Sequence, residues 1–455
     1  MIDLLPSPVV TETVPRLLAG WGRTARSRAH VLRPADPAAV AAALAAGPAR
    51  GVLARGLGRA YGDAALNAGG AVLDMTALSG IEEFNAAAGM VTVGAGTSLE
   101  ALVSAVAPHG WFPPVVPGTR WVTVGGAIAA DVHGKNHHVD GGFARFVERF
   151  TLIAPDGDTR SISRAEHPET FDATAGGMGL TGVILDATLR LAPLPSGLVR
   201  EEIARVDDLD ALLAGMAADD DRYRYSVAWV DAAARGRALG RGLLLRGDHA
   251  SAEEAGDAGL AALRPPPVRA PRAVPAGLLG TPTVAAFNAL WLRVKPRAAR
   301  HGLTPLAGYF WPLDGVRGWN RLYGRDGLIQ YQCVVPPGAE DVVREILASG
   351  RAARAVSPLA VLKRLGAADG PLAFPMEGWT LALDLPAAPR LGRLLDDWDE
   401  RVAACGGRVY LAKDARTRPE ALAAMYPRLD EWRAVRARLD PGGVLRSDLA
   451  RRLEL

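Results

Sequence analysis

The chain has 455 residues, of which 49% are hydrophobic and 22% charged, a composition typical of a folded globular protein whose length favours two domains. The formal net charge of +3 is too small and too dispersed to indicate a nucleic-acid-binding surface. The two cysteines, Cys333 and Cys405, exclude a disulfide framework.

The N-terminal segment, residues 1–20, contains three prolines and no apolar run of the signal-peptide type. Nowhere does the sequence hold 18 consecutive apolar residues, so no segment is predicted to span a bilayer. We therefore expect a protein that is cytoplasmic or peripheral to the inner membrane.

The first predicted helix covers residues 36–47, with Asp36 as its N-cap and Gly47 after its end. Apolar runs at 51–54, 71–75 and 90–93 predict short strands. Thr97 and Glu100 form the pattern of a capping box, which predicts the start of a second helix there. Apolar side chains at helical spacing predict its buried face, namely Leu99, Leu102, Val103 and Val106.

A glycine-rich turn, RGLGRAYGD, occupies residues 55–63 between two of these strands. Glycines allow main-chain N–H groups to approach an anion closely, so the turn suits a pyrophosphate. An ordinary tight turn is the alternative. The turn leads back into a strand and not into a helix, which excludes the Rossmann fingerprint.

Two further segments are candidates for binding or chemistry. Small residues at 117–119 and 123–127 form a second stretch that we expect to clamp the same extended diphosphate together with the first. The segment HGKNHH at 133–138 is interpreted as a polar loop beside a redox cofactor; a metal site and a solvated loop are the alternatives.

The later part of the chain changes character. Strands are predicted at 150–153 and 183–191, and residues 192–197 are predicted to form a domain boundary. The proline-rich stretch 265–275 predicts a loop without regular structure. Residues 287–295 mix apolar and basic side chains, which fits either a membrane-contacting helix or a core helix with a basic exposed edge.

Several motifs together resemble the vanillyl-alcohol oxidase superfamily of flavoproteins and, within it, the oxidases of polyprenylphosphoryl ribose. The resemblance covers nearly the whole chain. Its motifs are RGLGRAYGD at 55–63, PGTRWVTVGGAIAADVHGKNHH at 117–138, GGMGLTG at 176–182, WNRLYG at 319–324, QYQ at 330–332, LAKDAR at 411–416, AMYP at 424–427 and SDLARRLEL at 447–455.

The resemblance implies an α+β fold of two domains, an FAD-binding domain and a substrate domain with an antiparallel sheet flanked by helices. The implied boundaries are 1–194 for the FAD-binding domain, 195–407 for the substrate-binding domain and 408–455 for a C-terminal segment that returns to the first domain. In the first glycine turn, Arg59 and Ala60 stand where some relatives carry a residue that bonds to the flavin. We therefore expect FAD to be held non-covalently, with no metal.

The resemblance also implies roles for individual residues. The implied FAD-binding residues are Ala54, Arg55, Gly56, Leu57, Gly58, Arg59, Ala60, Tyr61, Gly62, Asp63, Ala64, Gly118, Thr123, Val124, Gly125, Gly126, Ala130, Asp131, Val132, His133, Ile184 and Tyr410. The implied substrate-binding residues are Tyr61, Lys135, Gln330, Gln332 and Lys413. Lys413 and His133 are expected to accept or organise the proton that leaves the substrate hydroxyl. Ala382 stands where some relatives have an active-site cysteine.

The implied reaction oxidises the 2'-hydroxyl of a polyprenylphosphoryl ribose to a 2'-keto sugar and passes the hydride to flavin N5. This would be the first half of an epimerisation to the arabinose form, a precursor of cell-wall arabinan. A separate NAD-dependent reductase would complete it, and peripheral membrane contact is expected. The alternatives are oxidation of another sugar, polyol or lactone on the same scaffold, and a flavin-free binding protein.

Overall fold

A computed structural model describes residues 14–256, 260, 268–271, 279–294 and 299–455. Most of the proline-rich stretch 265–275 lies outside the described residues. Within it, Val268–Arg269 form a short strand paired with Val316–Arg317, so the prediction of a loop without regular structure is wrong there. The helices are α1 Pro37–Ala45, α2 Leu99–Val106, α3 Val124–Ala129, α4 His137–Asp140, α5 Pro168–Thr174, α6 Leu209–Asp219, α7 Ala252–Ala255, α8 Thr281–Val294, α9 Leu306–Phe310, α10 Glu340–Ala352, α11 Leu391–Ala404, α12 Pro419–Met425, α13 Leu429–Leu439 and α14 Asp448–Arg452.

The strands, again in chain order, are β1 Arg16–Ala19, β2 Arg26–Leu32, β3 Val52–Arg55, β4 Ala71–Asp74, β5 Ile81–Asn85, β6 Met90–Gly94, β7 Trp111–Phe112, β8 Val147–Ile153, β9 Thr159–Ser163, β10 Val183–Arg190, β11 Ala192–Pro193, β12 Leu198–Val206, β13 Tyr225–Val230, β14 Gly242–His249, β15 Val268–Arg269, β16 Arg300–Pro305, β17 Val316–Arg317, β18 Leu328–Val335, β19 Ala360–Leu365, β20 Gly378–Pro386 and β21 Arg408–Val409.

The N-terminal part contains two sheets. One has the order β1-β2-β4-β3, with parallel pairing of β4 to both β2 and β3. The other is antiparallel, with the order β5-β6-β10-β8-β9. The apolar side chains of α2 and α3 pack on the second sheet, so this part is a mixed α+β unit.

The second part is built on one antiparallel sheet with the order β16-β12-β14-β13-β19-β20-β18-β21. Its strands alternate, so that one face packs against α6, α10 and α11 in the largest core cluster. The opposite face turns towards the N-terminal part. The predicted fold class, a two-domain α+β protein with a helix-flanked antiparallel sheet, is confirmed.

Local predictions in the first hundred residues are largely confirmed. Asp36 caps α1 by accepting a hydrogen bond from the Ala39 N–H at 2.8 Å. The predicted capping box is wrong by one residue, because Ser98 is the N-cap of α2 and the Thr97 hydroxyl bonds to Gly80. The predicted buried face of α2 is buried. The helix α3, inside the glycine-rich stretch, was not predicted.

The C-terminal segment contacts both parts. β21 extends the eight-stranded sheet beside β18, whereas the residues just before α14 run along β3, with the Val52 N–H donating to Val444 at 2.8 Å. Arg452 forms ion pairs with Asp63 at 2.7 Å and with Asp414 at 2.8 Å. The glycine turn is thus tied to the segment that carries Lys413.

Replacing Arg452 by methionine is expected to lower the free energy of unfolding by about 3 kcal/mol, because it leaves two largely buried carboxylates unpaired. Urea denaturation followed by circular dichroism measures this change. Arg433→Met is the matched control, since its partner Asp430 is exposed, and a change below about 0.5 kcal/mol is expected there. Equal effects of the two substitutions would contradict the role given to Arg452.

Candidate active site

A cavity of about 480 Å³ lies between the glycine-rich part and the open face of the eight-stranded sheet. Its volume is within the range of small-molecule sites. The glycine turn after β3, the start of α3 and the 133–135 segment line one side. Strands β13, β14, β18, β19 and β20 line the other side, together with the loop that carries Tyr410 and Lys413.

Most of the residues that the resemblance implied lie on this cavity. Those that line it are Ala54, Arg55, Gly56, Leu57, Gly58, Arg59, Ala60, Tyr61, Ala64, Gly118, Thr123, Gly125, Gly126, Ala130, Val132, His133, Lys135, Ile184, Gln330, Gln332, Tyr410 and Lys413. Four do not line it, namely Gly62, Asp63, Val124 and Asp131. Asp63 pairs with Arg452, and Asp131 accepts a hydrogen bond from the Ala144 N–H at 3.0 Å, so both serve the surrounding structure.

The glycine turn offers unused main-chain donors. Within the described residues, the N–H groups of Leu57, Gly58, Arg59 and Ala60 make no hydrogen bond. Unpaired donors of this kind suit the oxygens of a diphosphate. Position 56 requires a glycine because the main chain of the turn approaches Thr123 closely: a Cβ at Gly56 would lie 2.1 Å from Thr123 Oγ1.

The second stretch, residues 117–119 and 123–127, was expected to clamp the diphosphate, but most of its main-chain donors are engaged elsewhere. The N–H groups of Val124 and Gly125 donate to Thr97 and Ala95 at 2.8 and 2.9 Å, and the Gly126 N–H donates to Thr123 Oγ1. These donors cap α3 and join it to the second sheet, so they are already used. At Gly118 a Cβ would meet nothing within 4 Å, and this residue leaves the cavity open beside the turn.

His133 lies buried at the centre of the polar end of the cavity. Its Nδ1 lies 3.0 Å from Lys363 Nζ and its Nε2 lies 2.9 Å from the side-chain amide of Gln332. Burial, and then the charge of Lys363, hold the pKa of His133 well below its usual range. A neutral ring that accepts from Lys363 at Nδ1 carries its proton on Nε2, so Gln332 must then present its amide oxygen.

The HGKNHH segment is buried, because His133, Asn136 and His137 are each less than a tenth exposed. Asn136 donates to Pro114 at 2.8 Å, and the His137 Nδ1 accepts from the Gly366 N–H at 3.0 Å. These contacts fix the segment between the two parts of the molecule. The alternative of a solvated loop is wrong.

Three partly buried lysines line this cavity. The ammonium of Lys413 lies 4.1 Å from the ring centre of Tyr61, and Lys135 donates to the Tyr309 carbonyl at 2.6 Å. Lys363 contacts His133. Burial lowers the pKa of Lys413 and of Lys135 to about 8, and that of Lys363 to about 7. The cavity therefore holds amines that can be either cations or bases near neutral pH.

Behind Lys413 lies a polar network that the sequence did not reveal. Asp384, which is fully buried, accepts a hydrogen bond from Gln330 Nε2 at 2.5 Å. Burial raises the pKa of Asp384 to about 6, although Gln330 and Lys413 oppose that shift. The attraction of Asp384 in turn opposes the effect of burial on Lys413.

Lys363 and Asp384 reach the site through strand register. In β19 and β20, Lys363 lies opposite Thr380 and Val361 lies opposite Ala382; in β18, Gln330 lies opposite Asp384. Opposite residues of antiparallel strands point to the same face, so Lys363 and Asp384 join the two glutamines there.

Replacing Lys363 by methionine is expected to stabilise the apo protein by about 2–4 kcal/mol at pH 7. Because the folded pKa of Lys363 is about 7 and its ordinary value is 10.5, the unfolded chain binds more protons between these values. Stability therefore rises with pH across this window, and the substitution should remove part of that slope.

Urea unfolding of the apo protein at pH 7 and pH 9 measures this effect. Arg364→Met is the matched control, since Arg364 lies next along β19 on the other face and pairs with the exposed Asp221 at 3.1 Å. A change below about 1 kcal/mol is expected in the control. Destabilisation of Lys363→Met at pH 7 would contradict the prediction.

The fold and the cavity together define a flavoprotein oxidoreductase. Residues 28–163 match the FAD binding domain family, and residues 388–453 match the D-arabinono-1,4-lactone oxidase family. The unpaired donors of the glycine turn are of the kind that suits the diphosphate of FAD. The flavin-free alternative is therefore set aside.

The chain is 40% identical to decaprenylphosphoryl-β-D-ribose oxidase of Mycolicibacterium smegmatis over 97% of this chain and 98% of the relative. It is 45% identical to an uncharacterised protein of Streptomyces coelicolor over 79% of this chain and all of that protein. Cytokinin dehydrogenase 1 of rice is 32% identical over 40% of this chain and 36% of the relative. The chain belongs to the decaprenylphosphoryl-β-D-ribose oxidase family and is an FAD-dependent oxidoreductase.

Proposed function

We propose that this enzyme oxidises the 2'-hydroxyl of a polyprenylphosphoryl ribose to the 2'-keto sugar, with FAD held non-covalently. The observation that carries the proposal is the composition of the cavity. Partly or fully buried lysines and glutamines line one part of it, whereas Trp229, Leu245 and Val361 supply an apolar wall. Such a site suits a molecule with a sugar, a phosphate and a hydrocarbon chain.

Each part of the substrate has matching groups. The cations of Lys135 and Lys363 suit the phosphate, because buried ammonium groups need an anionic partner. Gln330 and Gln332 offer amide donors and acceptors for sugar hydroxyls. The apolar wall suits the first isoprene units of the chain.

Oxidation of an alcohol to a ketone removes a hydride from carbon and a proton from oxygen. Bound FAD supplies the hydride acceptor. Lys413, with a pKa lowered to about 8 by burial, accepts the hydroxyl proton in its neutral form. His133 remains neutral and, held by Lys363 and Gln332, fixes the position of the sugar hydroxyls.

Non-covalent attachment of FAD rests on the lining of the cavity. Of the histidine and cysteine residues in the described chain, His133 alone lines it, and both of its ring nitrogens are within hydrogen-bond distance of other side chains. Denaturation followed by ultrafiltration should therefore release the flavin into the filtrate. Flavin that stays with the denatured chain would contradict this part of the proposal.

The keto product requires a second step to become the arabinose form. The glycine turn of this chain leads to β4 and not to a helix, which is not the arrangement that holds NAD in a Rossmann fold. We therefore assign the reduction to a separate NAD-dependent reductase. Since polyprenyl chains reside in bilayers, we also place the enzyme at a membrane surface.

Anaerobic reduction of the flavin by candidate substrates tests the proposed reaction. A polyprenylphosphoryl ribose is expected to bleach the flavin absorbance and to yield one equivalent of keto sugar per flavin. The second candidate is oxidation of a sugar lactone, which the match of residues 388–453 to the D-arabinono-1,4-lactone oxidase family favours. Faster bleaching by the lactone than by the phosphoryl ribose would overturn the first proposal in favour of the second.

A further inference from the structure

Helix α8 presents apolar side chains to solvent. Val284, Asn288 and Leu292 are buried on one side of the helix. On the other side, four large apolar residues recur at helical spacing and are 57, 62, 39 and 65% exposed, respectively: Phe287, Leu290, Trp291 and Val294. We refer to these four residues as the apolar face of α8.

The orientation of α8 is fixed by its buried side. Asn288 Nδ2 donates to the buried carboxylate of Asp231 at 2.7 Å, and Val284 packs in the largest core cluster. The apolar face therefore points outward, while the opposite side of the helix packs on the core and Arg293 is exposed. Lys295, the last residue of the predicted stretch, lies outside the described residues. The Phe287 and Trp291 rings stack at 6.2 Å between centroids, which joins them into one surface.

Positive charge surrounds the beginning of the same helix. A second cavity, of about 900 Å³, is lined by residues 279–282 and by four arginines, Arg325, Arg351, Arg354 and Arg390. None of these four guanidinium groups forms an ion pair with a carboxylate in the described ranges. An apolar face on a helix whose first turn lies against unneutralised arginines has the features of a helix that lies in the interface of an anionic bilayer.

We propose that α8 docks the enzyme on bilayers that contain anionic lipids. The apolar face enters the boundary between headgroups and acyl chains, and the arginines contact lipid phosphates. The inference deepens the proposed function, because a polyprenyl substrate is then met at the surface that carries it. The docking itself depends on α8 and not on which alcohol is oxidised.

Vesicle flotation of the full-length, FAD-loaded enzyme tests the proposal, with vesicles of phosphatidylcholine alone or mixed with phosphatidylglycerol. Leu290→Asp is the test variant. Leu17→Asp is the matched control, because Leu17 is a leucine of similar exposure, 59%, on β1. The wild type and the control should float with the mixed vesicles, whereas Leu290→Asp should partition roughly tenfold more weakly.

Replacing Arg325, Arg354 and Arg390 together by serine should remove the preference for the mixed vesicles. It should also reduce the weakening of binding by salt, since screening acts on these charges. Both the leucine variants and the triple variant are expected to keep their flavin absorbance and to be reduced by a soluble short-chain substrate at the wild-type rate.

Three results would overturn the docking proposal. The first is a wild-type enzyme that does not float. The second is Leu290→Asp that floats as the control does. The third is a Leu290→Asp variant that binds lipid as well as the wild type but either unfolds more readily than Leu17→Asp or separates a dimer seen by light scattering. The apolar face of α8 would then be a protein contact. Failure of the phosphoryl ribose to reduce the flavin, with flotation intact, would overturn only the proposed substrate.

Discussion

Replacing Lys413 by alanine is expected to leave a yellow, FAD-loaded protein whose flavin is reduced by the substrate about 10²–10⁴-fold more slowly, the usual contribution of a general base. Lys413 is partly buried and lines the cavity together with Tyr61 and Gln330. Its removal takes away the group that accepts the hydroxyl proton without disturbing the glycine turn. Stopped-flow absorbance under anaerobic conditions measures the reduction rate directly.

The pH dependence of that rate distinguishes a base from a fixed cation. With the pKa of Lys413 at about 8, the neutral amine increases as pH rises. The reduction rate should therefore rise roughly tenfold between pH 7 and pH 9 and then level off. Asp384, whose pKa is about 6, is already ionised across this range. Lys363 titrates lower, at about 7, and its variant should keep the rise.

Lys413→Arg is the control for charge. Arginine keeps the positive charge beside Tyr61 but does not lose its proton near neutral pH. If Lys413 acts as a base, the arginine variant should be as slow as the alanine variant. A fast arginine variant, or a rate that falls between pH 7 and pH 9, would instead assign Lys413 the role of stabilising an alkoxide.

Replacing Gly118 by phenylalanine is expected to weaken FAD binding by about a hundredfold or more without unfolding the protein. A Cβ at Gly118 would meet nothing within 4 Å, so the chain itself tolerates a side chain there. Gly118 lines the same cavity as the glycine turn, and if FAD is bound there, a ring added at Gly118 should compete for the space of the cofactor. Fluorescence titration of the apo protein with FAD measures the affinity.

Gly392→Phe is the matched control, because a Cβ there also meets nothing within 4 Å and Gly392 is exposed on α11, away from the cavity. It should bind FAD as the wild type does. Retention of wild-type affinity by Gly118→Phe, with unchanged circular dichroism, would show that FAD lies elsewhere.

Capping residues and apolar periodicity predicted the helices whose formation depends on interactions within a few residues. Asp36, Pro37 and the apolar spacing of α2 place helices correctly, since capping and periodicity act within a few residues. The start of α2 shifted from Thr97 to Ser98 because Gly80, distant in sequence, occupies the Thr97 hydroxyl. The short helix α3 was hidden in a glycine-rich stretch, where its N–H groups are held by Thr97 and Ala95.

The parts of the candidate site that lie in contiguous motifs could be predicted from the sequence. The parts that strand pairing brings together could not. The glycine turn and the 133–138 segment were singled out from their own residues, and Lys413 through the resemblance. Lys363 and Asp384 were missed, because their positions follow from the register of β18, β19 and β20. That register pairs residues distant in sequence, such as Gln330 with Asp384, and no short pattern encodes it. The apolar face of α8 was left ambiguous, since periodicity does not say which side of a helix is covered.

A crystal structure of the FAD complex tests most directly whether one cavity both holds the cofactor and carries the chemistry. The diphosphate is expected against the main-chain N–H groups of Leu57 to Ala60, with the ring beside His133 and Lys413. A diphosphate bound instead away from that turn, or a ring separated from Lys413 by other side chains, would contradict the assignment of both the cofactor site and the base.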